Sequence, residues 1–139
     1  MKRKKFIQTS GLVAVGCCWL SPFMQGCSSY YFARHTVEGD KIMVPKSEFH
    51  EHPFVYVKHN RLPKPLFVKV DHQGEPLALH LECTHKGCQV RPTNSGFSCP
   101  CHGSQFSDTG AVVSEPADEP LYQFKTSEDS QNIIIHLPE

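Results

Sequence analysis

Two short boxes of cysteine and histidine constrain this chain more than anything else in it. Cys83-Thr84-His85-Lys86-Gly87-Cys88 is followed, eleven positions after Cys88, by Cys99-Pro100-Cys101-His102-Gly103-Ser104. The boxes hold two pairs of cysteines and two histidines, and so offer the thiolates and imidazoles of either a zinc tetrahedron or a mixed-ligand iron-sulfur cluster. Any fold the chain adopts has to bring the two boxes side by side.

Zinc is the plainer reading, since mixed cysteine and histidine tetrahedra staple many small domains. A tetrahedron filled by Cys83, His85, Cys99 and His102, however, leaves Cys88 and Cys101 without a role. Gly87 and Gly103 let each loop bend sharply and bring backbone N–H groups toward a ligand that carries negative sulfide. Both features suit a cluster better than a bare cation, and zinc stays as the alternative.

The boxes resemble the paired cluster-binding loops of Rieske proteins, most of all the disulfide-bearing branch found in quinol-oxidising complexes such as quinol-cytochrome c reductase. The likeness continues through Gln105-Phe106-Ser107-Asp108-Thr109-Gly110, Glu115-Pro116-Ala117 and Pro120-Leu121, and covers roughly Ile42 to Leu137. It implies one 2Fe-2S cluster per chain, with Cys83 and Cys99 on one iron, His85 and His102 on the other, and a Cys88–Cys101 disulfide joining the loops. Two neutral imidazoles in place of two thiolates lower the negative charge around such a cluster and raise its potential. Solvent-facing histidine ligands also allow electron transfer to be coupled to proton transfer.

Three neighbours are expected to tune the site. By the same resemblance, Ser104 places a hydroxyl to donate to a cluster sulfide, which favours the reduced state. Phe106 stands where high-potential members carry a tyrosine, so one donor to a cysteine sulfur is missing; the ring itself reads as a core residue. Lys86 occupies a tip position that is usually apolar in quinol-docking members. A cation there favours reduction but suits a greasy docking surface poorly.

Lys2, Arg3, Lys4 and Lys5 precede an apolar stretch, Gly11 to Leu20, and no acidic residue occurs before Glu38. That layout is a signal peptide or amino-terminal anchor over residues 1–26, too short in its apolar part to span a bilayer comfortably. Gly26-Cys27-Ser28-Ser29 resembles a bacterial lipoprotein cleavage site with Cys27 as the lipidated residue; an uncleaved anchor is the alternative. Arg3-Lys4-Lys5-Phe6-Ile7 resembles a degenerate twin-arginine signal, against a plain secretory one. Export accords with a lasting disulfide, which the reducing cytosol disfavours.

Cleavage before Cys27 would leave 10 basic residues against 14 acidic ones, a net of minus four, with no electrostatic footprint for nucleic acid. The remainder holds one small domain. Residues 27–40 read as a tether and 41–139 as the domain proper. Strand signals run through Ile42–Val44, Phe54–Val57, Leu66–Val70 and Leu77–Leu81, with a further pair at Leu121–Lys125 and Ile133–His136. Asp71–Glu75 and Thr93–Gly96 read as hairpin turns. Beyond the apolar start no 3.6-residue period is sustained, and eleven prolines discourage long helices. The expected fold is all-β: a small antiparallel sandwich of Rieske type with an inserted cluster-binding subdomain.

The expected function is single-electron transfer within a membrane-attached respiratory oxidoreductase, between its subunits and a cytochrome-like acceptor, on the periplasmic or outer face of a bacterial cytoplasmic membrane. A Rieske ferredoxin serving an oxygenase is the runner-up, and a zinc-stapled binding module the third reading. No nucleophile–base pair or phosphate loop is present, so any enzyme activity would belong to a complex.

Overall fold

The computed structural model describes residues 30–139; the basic start, the apolar stretch and Cys27 lie outside the described residues. The strands are β1 (Thr36–Glu38), β2 (Lys41–Pro45), β3 (Phe54–Val57), β4 (Leu66–Val70), β5 (Pro76–His80), β6 (Arg91–Thr93), β7 (Gly96–Ser98), β8 (Gln105–Ser107), β9 (Val112–Ser114), β10 (Gln123–Glu128) and β11 (Asn132–His136). One 3-10 turn, Lys46–Phe49, follows β2. A seven-stranded antiparallel sheet has the order β1-β2-β11-β10-β5-β4-β3, and a four-stranded one, β6-β7-β8-β9, is inserted between β5 and β10.

The alternation of side chains along β3, β4 and β5 explains the layers. Val55, Val57, Leu66, Val68 and Ala78 point to one face and pack with Ile42, Val44, Phe124, Ile133 and Ile135 from the other half of the large sheet. Tyr56, Phe67 and Leu79, paired across the strands, point the opposite way and form a second core with Leu81, Val90, Phe97, Phe106 and Ala117. Because β4 is covered on both faces, it reads as an unbroken apolar run, Leu66-Phe67-Val68, rather than as an alternating one. The second core is the platform on which the small sheet sits.

The turns follow from side chains that replace backbone partners. Asp71 Oδ1 accepts the N–H groups of Gln73 and Glu75, each at 2.8 Å, and closes the β4–β5 hairpin. Asp129 does the same for Gln131 and Asn132 between β10 and β11. In the β6–β7 hairpin Gly96 has φ +146°, and a Cβ there would lie 2.1 Å from the Phe106 carbonyl oxygen. Only glycine lets β7 approach β8 so closely.

Three short strands, β1, β8 and β9, carry too little apolar alternation to be seen as isolated runs, and β5 stops at His80. Within the stretch read as a tether, residues 31, 33 and 36–38 hydrogen-bond to strands of the large sheet. Tyr56 sits in a pair whose N–H and C=O face outward from the edge strand β3, and both groups are taken up: Tyr56 N–H donates to Tyr31 O and Ala33 N–H donates to Tyr56 O, each at 2.9 Å. Residues 36–38 then pair with β2. The edge of the large sheet is thereby covered.

Candidate metal centre

The first box leaves β5 and forms a loop closed by an isolated antiparallel bridge between Glu82 and Gln89. Within it Cys83 N–H donates to Cys88 O and Gly87 N–H donates to Cys83 O, both at 2.8 Å. The second box, between β7 and β8, repeats the pattern. Cys99 N–H donates to Ser104 O at 2.8 Å and Gly103 N–H donates to Cys99 O at 3.1 Å. Both glycines have positive φ, +71° and +84°, which the reversal requires. The two loops are thus one backbone design used twice, with Cys83 matched to Cys99, Gly87 to Gly103 and Cys88 to Ser104. Its signal in the sequence is the shared Cys-x-x-x-Gly spacing, which the cysteine-histidine pattern obscures.

A covalent bond joins the loops: Cys88 and Cys101 form a disulfide, with Cα atoms 6.5 Å apart. Cys83 and Cys99 remain free thiols, each about as buried as a core residue. The imidazoles of His85 and His102 lie edge to face with ring centres 4.9 Å apart; His85 is half-buried and His102 exposed. His85 Nδ1 is buried without a hydrogen-bond partner among the described residues. An orphaned buried nitrogen, two unpaired buried thiols and a second imidazole beside them are what a site for a metal group provides.

The loops are tied together a second time by the segment leading to β10. Ser104, fully buried, accepts the Ala117 N–H at 3.0 Å, which leaves its own hydroxyl hydrogen free to donate. Thr84 Oγ1 donates to Glu119 O at 2.6 Å, docking the first loop on the same segment. Neither Thr84 nor the two backbone partners stood out in the sequence, since hydroxyl–backbone contacts across 35 positions leave no local signature. Phe106 is a core residue on β8, opposite Phe97. Lys86 is exposed at the loop end.

The disulfide takes two of the box cysteines out of reach of any metal. Among the described residues the group of three ligand-type atoms gathered within 4.8 Å is Cys88, Cys99 and Cys101, and two of these are consumed by the disulfide. The groups left to a metal are the free thiols of Cys83 and Cys99 and the imidazoles of His85 and His102.

The Rieske [2Fe-2S] domain family matches residues 34–125. The chain belongs to the Rieske family. It is 39% identical over 75 residues to the cytochrome b6-f complex iron-sulfur subunit 3 of Nostoc sp. (strain PCC 7120), a match covering 52% of this chain and 42% of that protein. The Rieske chain therefore spans less than half the length of the curated relatives it matches. Among solved structures it is similar to the plasma membrane Rieske protein PetC3 of Synechocystis PCC 6803, with 30% identity and a TM-score of 0.56 over 66% of this chain and 93% of that one. A hyperthermophilic respiratory Complex III shares the fold, with 23% identity and a TM-score of 0.53 over 66% and 71% of the two chains. A Rieske domain implies a 2Fe-2S cluster, so this protein is a Rieske electron carrier with the loop disulfide in place. No helix among the described residues is long and apolar enough to cross a membrane.

Proposed function

We propose that the protein is a membrane-attached electron-transfer subunit serving a quinol-oxidising or related oxidoreductase, working on the periplasmic or outer face of the cytoplasmic membrane. The observation that carries the reading is the disulfide across two matched loops that present two free buried thiols and two imidazoles. In this reading Cys83 and Cys99 hold one iron and His85 and His102 the other. A bound 2Fe-2S cluster supplies one-electron redox chemistry. The two imidazoles then hold or release a proton at their outer nitrogens, which couples electron and proton transfer where His102 meets solvent.

The partners are membrane oxidoreductase subunits and a cytochrome-like acceptor. Attachment is through Cys27, lipidated after cleavage, or through the uncleaved amino-terminal segment. The likeness to a cytochrome b6-f subunit and to a plasma membrane Rieske protein supports this circuit over a cytosolic ferredoxin. Lys86 and Phe106 set it apart from the high-potential members, and the midpoint is expected to fall between the ferredoxin end and the upper end of the Rieske range.

Electron paramagnetic resonance during a redox titration tests the assignment. His85→Ala and Cys99→Ala should each abolish the Rieske signal; a signal that survives either change means the ligands are wrongly assigned. A colourless protein carrying stoichiometric zinc would remove the electron-transfer role.

A further inference from the structure

The described chain begins where the large sheet carries an exposed aromatic cluster. Tyr30 (38% exposed), Phe32 (41%) and Phe54 (37%) ring the buried Tyr56, with centroid distances of 4.7, 5.9 and 5.8 Å. The cluster continues through Phe67 to Phe97, and so reaches the small sheet. Beside it runs an open groove of about 600 Å³, and a second groove is lined by Tyr30, Lys64, Arg91 and the Cys88–Cys101 disulfide.

Cations border these rings. Lys58 Nζ lies 4.5 Å from the centre of the Phe32 ring, and neither Lys58, Lys64 nor Arg91 is ion-paired with a described residue. Lys69 in the same groove is neutralised by Asp108 at 3.0 Å. The acidic neighbours of this end of the chain, Glu48 and Glu51, are grouped with Tyr31, whose hydroxyl donates to Glu48 at 2.6 Å. That side chain belongs to the other face of its extended segment, away from Tyr30 and Phe32.

We infer that this face, Tyr30, Phe32 and Phe54 with Lys58, Lys64 and Arg91, is seated on an anionic lipid surface. Aromatic rings edged with unpaired cations are the composition that partitions to a bilayer interface with negative headgroups. The chain outside the described residues points to the same occupant. Only Ser28 and Ser29 separate Cys27 from Tyr30, a reach of at most about 11 Å, and Tyr31 and Ala33 are hydrogen-bonded to β3. An attachment at Cys27 therefore leaves no slack, and the face that meets it is this one. The inference rests on the membrane-attached reading above and adds that the domain lies in one orientation with the disulfide flank toward the lipid, rather than swinging on a tether.

The test uses the full chain with its cluster, in phosphatidylcholine vesicles with or without about a third phosphatidylglycerol, and in detergent. Vesicle flotation reports attachment, and amine-reactive footprinting read by mass spectrometry reports the face. Seating predicts that Lys58 and Lys64 are protected about threefold or more relative to Lys125 on the phosphatidylglycerol vesicles, and that high salt or Lys64→Glu with Arg91→Glu removes the protection at Lys58. Flotation on both vesicle types without that protection overturns the seated face and leaves attachment standing. A chain that floats with neither vesicle overturns both readings. Protection that appears in detergent and rises with protein concentration assigns the face to a second copy and also overturns the inference.

Discussion

Ser104 shows how much one buried hydroxyl does in this protein. It is fully buried and its oxygen accepts the Ala117 N–H, which leaves its hydrogen free to donate. Ser104→Ala removes the Ala117 bond and, in the proposed site, the donor to the cluster. The midpoint should fall by on the order of 60 mV, about 1.4 kcal/mol for one electron, and the orphaned Ala117 N–H should cost about 1–3 kcal/mol of stability. Redox titration and thermal unfolding of the same variant check the two parts; a midpoint that does not move would show that the hydroxyl only anchors the segment. Ser104 was legible in the sequence as a candidate donor. Its anchoring of Ala117 was not, because the partner is a backbone group thirteen residues away.

At the scale of elements, the site is two copies of one loop held by a disulfide and by the segment leading to β10. The closed cycle between Cys88 and Cys101 spans 13 positions, for which cross-linking is worth about 3 kcal/mol in the chain-entropy account. Cys88→Ser should therefore lower stability by roughly that amount and reduce cluster occupancy, while the Rieske signal persists in the loaded fraction, since the proposed ligands Cys83, His85, Cys99 and His102 are all retained. Unaltered occupancy and an unaltered melting temperature would deny the disulfide a structural role. The hairpins and long strands could be read from period and turn residues, as at Leu66–Val70 and Asp71–Glu75. Strands of three residues such as β8 and β9 could not, because their pairing partners, rather than their own pattern, decide that they exist.

The whole molecule is two cores on opposite faces of β3, β4 and β5, and His80 lies where β5 passes from the large sheet to the first loop. Burial holds its imidazole below its ordinary value of 6.5, with the nearby Glu82 carboxylate acting in the other direction. The folded state thus keeps His80 neutral while the unfolded chain takes up a proton as pH falls through 6.5, so the stability this contributes is present above 6.5 and is lost from there down toward the lower folded value. Melting temperatures at pH 7.5 and 5.5 should show a drop for the wild-type protein and a smaller drop for His80→Leu. Equal drops would place the acid sensitivity elsewhere. The stretch read as a tether belongs to this scale too: Tyr31 and Ala33 satisfy an edge strand 25 positions downstream, at Tyr56, and no local pattern announces that.

The amino-acid sequence alone marked the two boxes and their likeness to the Rieske family, because cysteines, histidines, their spacing and the glycines between them are local properties that a chain either has or lacks. It also determined the all-β class, through the period of its apolar residues. Only the tertiary structure decided how the loops match, which hydroxyls and backbone groups lock them, and that Tyr30 and Phe32 lie against the large sheet, exposed beside unpaired cations. Those outcomes depend on contacts between residues far apart in the chain, whose geometry is set once both faces of β4 have been buried.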